Sequence, residues 1–229
     1  MSEALLDILY EDNHLLVVNK PPGIATQGAE PGMPSLVNLA KQYLKTEYNK
    51  PGNAYIGVVS RLDAVVSGVV VLAKTSKAAE RLNEQFRERS VQKIYRALVE
   101  GGPRQEHFEF HDWLKPAQTR KGSEVAQPKE MGAVDARLRG CVLRHSAGLA
   151  LLEIDLKTGR KHQIRVQLAS RGWPILGDRL YGSKKSFHPG IALHAHSLAI
   201  QHPTTKELLT FDAAVPVAWK PFMNQIGAS

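Results

Sequence analysis

The chain has 229 residues, 43% of them hydrophobic, with 30 lysines and arginines against 22 acids and a formal net charge of +8, enough for a core in one domain or two closely packed lobes. A single cysteine, Cys141, excludes a disulfide framework and fits a reducing cytosol. The longest apolar runs are strand-sized, and the acid-bearing start MSEALLDILYEDNH is unlike a signal peptide, so a soluble cytoplasmic protein is expected.

In chain order, HLLVVNK (His14–Lys20) predicts a short strand closed by the turn Pro21–Gly23. From Pro34 to Tyr48, Leu36, Leu39, Ala40, Tyr43 and Leu44 recur at helical spacing. YIGVV (Tyr55–Val59) and GVVVLA (Gly68–Ala73) predict two strands joined by SRLDAVVS. Ser76 can cap a helix running to about Arg89, with Leu82 and Phe86 one turn apart on its buried side.

Val91–Gly101 alternates as a strand, placing Tyr95 on one face with Val91, Ala97 and Val99. Lys115–Gly132 is polar, broken by Pro116, Gly122 and Pro128, and predicts a long loop. Strands are expected at about 133–139, 141–145 and 149–156. The turn KTGR (Lys157–Arg160) leads into a helix whose apolar ridge is Ile164 and Leu168. ILGDRLYG reads as a loop, and ALHAHSLAI (Ala192–Ile200) as a late strand. With no repeat and no convincing linker, the order favours one α+β domain with a central, mostly antiparallel sheet flanked by helices and loops.

Charge is unevenly spread. Between Lys157 and Lys185 eight lysines and arginines face one acid, Asp178, a local net charge of +7. Such a patch suits a polyanion, most simply nucleic acid, or is an ordinary solvated basic face. Phosphate-cradling glycine loops, the dinucleotide fingerprint and the serine elbow are absent, and one cysteine cannot build a thiolate zinc cage. His188, His194, His196 and His202 cluster late, but no carboxylate lies between Asp178 and Glu207, so a metal site is disfavoured.

The remaining question is Asp63, an acid at the front of an apolar strand. An exposed aspartate is ionised at neutral pH, with a reference pKa of about 3.9. In a drier pocket its pKa would rise unless a guanidinium opposed the shift. Arg165, beside the Ile164–Leu168 ridge, is the better candidate for that partner than Arg61. The alternative is an aspartate that caps a turn and nothing more.

RLDAVVSGVVVLAKT resembles the R-L-D-x-x-T-S-G segment of the RluA-type pseudouridine synthases. ILYEDNHLLVVNKPPG, QKIYRALVEG and LKTGRKHQIRVQLASRGWPILGDRLYG resemble that family's first, tyrosine and arginine motifs, in the family's order, from about Ile8 to Pro216. The resemblance implies a pseudouridine synthase-like catalytic domain that converts selected uridines in structured RNA, ribosomal or transfer, to pseudouridine. Asp63 is then the catalytic carboxylate, Tyr95 the tyrosine against the uracil, and Arg165 the basic residue that pairs with the acid. The resemblance leaves open whether the aspartate attacks sugar or base, or assists a glycal-like intermediate.

Arg61 matches the arginine that fills the space left when the nucleotide swings out. Lys157, Arg160, Lys161, Arg171 and Arg179 are the candidate RNA contacts, which can offset the few kcal/mol of unstacking a base. No cofactor or metal, no obligatory protein partner and a monomer are expected. The first motif begins near residue 8, so the small N-terminal S4 domain of many relatives is not expected. The chain departs from the family pattern at Ser60, Ala64 and Val66, the last removing a hydroxyl that could brace the loop. Two rival readings are an RNA-binding or refolding protein with weak or no catalysis, and a nucleoside glycosidase using Asp63.

Overall fold

The computed structural model describes residues 6–28, 32–49, 52–118, 122–146 and 148–227. In chain order the elements are β1 (Ile8–Glu11), β2 (Leu15–Lys20), α1 (Leu36–Glu47), β3 (Gly57–Val58), β4 (Ser67–Ala73), α2 (Ser76–Glu88), β5 (Gln92–Glu100) and β6 (His107–Pro116). They continue with β7 (Ser123–Ala126), β8 (Val134–Ser146), β9 (Leu149–Leu156), α3 (Gln163–Ala169), β10 (Leu193–Gln201), β11 (Leu208–Asp212) and α4 (Lys220–Gln225). The chain divides into two compact units, one from the residues up to Gln92 with Ala195–Ala214, the other from Lys93–His194 and the residues from Val215 on.

In the first unit the strand order is β1-β2-β4-β10, with β3 paired to β4 and β11 to β10. β2 runs antiparallel to β4, Leu15 opposite Ala73 and Lys20 opposite Gly68. Both strands are buried on both faces. Leu15, Val17, Val69 and Val71 pack with Leu82 of α2, while Leu16, Val18, Val70 and Leu72 pack with Leu36, Ala40 and Leu44 of α1. Double burial explains why these strands read as unbroken apolar runs and not as alternation. Each such side chain is worth about 1.5–3 kcal/mol of burial.

Gly68 opens the apolar part of β4 with φ +118°, and a Cβ there would lie 2.3 Å from the carbonyl oxygen of Ala195 in β10. Only glycine allows both that conformation and that approach. The helix caps follow ordinary chemistry. Ser35 accepts from the Asn38 amide at the start of α1. At α2 the cap is Thr75, whose hydroxyl accepts from Ala78 N at 3.2 Å, and not Ser76. Thr75 holds the extended backbone that aims its oxygen at the helix, whereas Ser76 is already helical.

In the second unit the order is β5-β9-β8-β6-β7, each neighbouring pair antiparallel. Here Leu114 of β6, Ala136 of β8, Val166 of α3 and Tyr181 form one buried cluster. The expected strands at 133–139 and 141–145 are a single strand, β8. Gly140 does not break it: a Cβ there would meet the Glu153 carbonyl at 2.5 Å and the Phe108 ring at 2.6 Å, so the glycine marks close approach. The expected loop 115–132 contains β7, which pairs Ser123–Ala126 with Trp113–Pro116; residues 119–121 of that stretch lie outside the described residues. The expected strand at Tyr55–Val59 shrinks to β3, because only Gly57 and Val58 find partners on β4.

Candidate active site

Asp63 lies in the loop between β3 and β4, half-buried, with Arg61 exposed two residues before it. The loop is clamped by the segment that follows β2. Thr26, buried, donates its hydroxyl to the Leu62 carbonyl at 2.9 Å and accepts from the Leu62 amide at 3.1 Å. Gly23 N donates to the Ala64 carbonyl at 2.7 Å, and Val66 N closes the turn onto the Asp63 carbonyl at 3.0 Å. Both neighbours of the aspartate are therefore fixed by main-chain bonds. Val66 is buried and apolar; the hydroxyl that braces this loop comes from Thr26.

Beneath the loop lies Lys20, the last residue of β2 and fully buried. Its ammonium donates to the carbonyls of Pro21 and Ile24 at 2.8 Å and of Ala64 at 3.3 Å. Burial pushes its pKa down to about 8, against the charge of Asp63, which pulls it up. This buried cation, surrounded by carbonyl dipoles and sensing the charge of Asp63, is a residue that the sequence reading left without a role. Its one signal was a lysine closing the strand LLVVNK.

In the second unit Arg165 sits in α3, a short helix whose residues Gln163–Leu168 are all buried. Its guanidinium grips Asp178 in a bidentate pair, Nε to Oδ2 at 2.7 Å and Nη2 to Oδ1 at 2.8 Å. The two residues are 6% and 1% exposed, so the planar fork is fixed in orientation as well as charge. The Tyr181 ring lies 5.1 Å from the guanidinium carbon. Tyr181 is held in turn: its hydroxyl accepts from Ser123 N at 2.9 Å and meets His162 Nδ1 at 2.9 Å. The motif GDRLYG thus supplies both the acid and the ring that orient Arg165. Tyr95, half-buried in β5, stands opposite Ile154 of β9.

The candidate RNA contacts fall into two groups. Arg61 and Lys161 are exposed, and exposed Lys157 reaches Asp155 at 2.6 Å. Arg160 points its Nε at the Asp135 carbonyl, 2.8 Å away. Arg171 is partly exposed but engaged: it bonds both oxygens of Asp112 at 3.0 and 3.1 Å and stacks 3.7 Å over the Phe110 ring. Arg179 donates to the carbonyls of Ser183 and Lys184 at 3.1 and 3.0 Å.

The late histidines serve separate purposes. His196 Nδ1 bonds the Ala213 carbonyl at 2.8 Å, His202 Nε2 bonds Asp12 at 2.8 Å, and His194 packs its ring edge-on to Trp219. An open groove of about 490 Å³ lies along the second unit's sheet, its lining including Ile94, Phe108, Arg139 and the carboxylates Glu109, Glu153 and Asp155. It contains none of the candidate catalytic residues, and its acid excess is the wrong sign for a phosphate backbone.

The family described as RNA pseudouridylate synthase matches residues 14–170. The dual-specificity RNA pseudouridine synthase RluA of Haemophilus influenzae is 35% identical, over 92% of this chain and 94% of that protein. Ribosomal large subunit pseudouridine synthase D of Zymomonas mobilis is 34% identical, over 92% of this chain and 69% of that protein. Human RNA pseudouridylate synthase domain containing 4 superimposes with a TM-score of 0.80 at 23% identity, covering 96% of this chain and 92% of that chain, a likeness of fold. The match runs through the clamped aspartate loop and through α3 alike, and the chain belongs to the RNA pseudouridylate synthases, as an isomerase of their RluA type.

Proposed function

We propose that this protein isomerises selected uridines in structured RNA, ribosomal or transfer, with Asp63 as the catalytic carboxylate. The bond from uracil N1 to the ribose C1′ breaks, the base turns, and a bond from C5 to C1′ replaces it. The C5 proton leaves and N1 regains one, so substrate and product have the same atoms. Base and sugar supply everything, and the reaction calls for no cofactor. Tyr95 is assigned the aromatic floor beneath the uracil and a part in removing the C5 proton. Arg165 is the basic residue that serves the aspartate. Arg61, Lys157, Arg160 and Lys161 meet the RNA, and a monomer suffices. A ribosomal target takes support from the Zymomonas relative, named for the large subunit. Such a substrate implies work in the cytoplasm, and no helix among the described residues is long and apolar enough to cross a membrane.

The observation that carries this reading is the Asp63 loop, locked on both sides of the acid by buried groups and underlain by Lys20. An aspartate that only capped a turn would need none of this. The test is incubation with cellular transfer and ribosomal RNA, followed by pseudouridine mapping, for the wild type and Asp63→Asn. Product from the wild type and none from the variant is expected; equal product from both would remove Asp63 from the chemistry.

A further inference from the structure

β5 ends in Glu100, a carboxylate that plays no part in the site above. Its Oε1 accepts three bonds from one short segment: Ser183 Oγ at 2.6 Å, Lys184 N at 2.8 Å and Lys185 N at 2.8 Å. The opposite side of the segment is held by Arg179, whose guanidinium donates to the carbonyls of Ser183 and Lys184 and to Ser186 Oγ at 3.2 Å. Ser183 is buried and its Oγ also accepts from Gly177 N at 3.0 Å. Burial raises the Glu100 pKa, but the Ser183 hydroxyl and the two amides outweigh it and hold the carboxyl below its usual range.

The acid thus spends its charge on the Ser183 hydroxyl and two backbone amides, and it also attracts the Lys185 ammonium. The side chains of Lys184, Lys185 and Ser186 stay exposed on a segment fixed through its N–H groups on one side and its carbonyls on the other. A loop anchored in this way presents two lysine side chains from a fixed backbone, so ordering that backbone costs little when a polyanion binds. Backbone phosphates are contacts of this kind, made by charge and position without reading sequence.

We propose that Ser183–Ser186 is a preformed phosphate-contact loop for the RNA backbone, and that Glu100 is its positioning residue. The proposal rests on the RNA pseudouridine synthase reading and adds to it a named loop and the acid that shapes it. The sign of its central prediction is unusual. Removing a negative charge from a protein that binds a polyanion should tighten binding if charge alone mattered. Here, removing Glu100 frees the loop and should weaken binding.

The experiment is equilibrium binding of labelled unfractionated tRNA, with purified ribosomal RNA as a second probe, across a salt series, which reads affinity without turnover. Lys184→Ala/Lys185→Ala should weaken binding and make the slope of log affinity against log salt shallower by about 1.5, as expected for two lost phosphate contacts. Glu100→Ala should raise Kd at least threefold, and Glu100→Gln, which keeps an acceptor oxygen, should recover part of the loss. In the lysine-free background Glu100→Ala should change nothing further. Unchanged or tighter binding by Glu100→Ala, or an equal effect with and without the lysines, would overturn the proposal. Should Glu100→Ala not fold, Glu100→Gln decides: a Kd at or below that of the wild type counts against the loop, and a raised Kd that vanishes in the lysine-free background counts for it. Failure of the wild type to bind either RNA would instead strike at the RNA reading itself.

Discussion

Lys20 bonds the main chain directly after the aspartate: its ammonium donates to the Ala64 carbonyl at 3.3 Å. Lys20→Met would remove that anchor, the bonds to Pro21 and Ile24, and the buried positive charge. Hydrogen bonds to charged groups are worth about 1.5–3 kcal/mol each, so loss of even one from the reactive geometry predicts a fall in kcat of about 10- to 100-fold. Single-turnover pseudouridine formation at saturating RNA measures it.

The same lysine should give the enzyme an alkaline limb. With its pKa lowered to about 8, Lys20 loses its charge as pH passes that value, and kcat should fall there. Lys20→Arg, which stays charged, should carry the limb upward. Stability moves the other way. Between about pH 8 and 10.4 the unfolded chain holds the lysine proton that the folded chain has released, so the Lys20 contribution to stability rises with pH across that window. Denaturant titrations at pH 7.5 and 9.5 separate the two effects.

Thr26 makes two bonds to Leu62, and Thr26→Val keeps the shape while deleting both. The half-buried Leu62 carbonyl and amide lose a partner, at about 1–3 kcal/mol of stability, and activity should fall although Thr26 is not itself a catalytic group. Thr26→Ser should restore both. Full activity in Thr26→Val would show that the clamp does not matter to the aspartate.

Asp178→Ala leaves the Arg165 guanidinium without the carboxylate that fixes two of its nitrogens. Breaking a buried pair from one side costs about 3–5 kcal/mol, which for a chain of this size lowers Tm by roughly 10 °C. A thermal scan reads this directly, and an unchanged Tm would mean that Asp178 does not hold Arg165 in solution.

The basic residues should separate by salt dependence. Lys157→Ala/Lys161→Ala should weaken RNA binding and flatten the salt slope by about 1.5. Arg171→Ala should instead lower Tm while leaving the slope nearly intact, because its guanidinium is occupied by Asp112 and Phe110. A flattened slope for Arg171→Ala would return it to the RNA-contact group.

The sequence disclosed β2 and β4 because Leu15–Val18 and Val69–Leu72 are buried on both faces, which concentrates their signal. It misled at Gly140, where a glycine read as a break is a point of close contact with Phe108 and Glu153. β7 was hidden because only the edge of β6 makes its four polar-flanked residues a strand. The arginine motif was visible as a string, but the roles of Asp178 and Tyr181 emerge only when the turn at 179–181 brings them to Arg165. Thr26 carried no signal, since its partner Leu62 is 36 positions away.

The aspartate's footing is braced: it stands just before a strand buried along its whole length, and the main chain of both its neighbours is hydrogen-bonded. In the catalytic role proposed for Asp63, a loop braced in this way leaves most of the approach to the nucleotide. Uridines in bulges and hairpin tips, already half out of their stack, have the shortest way to go.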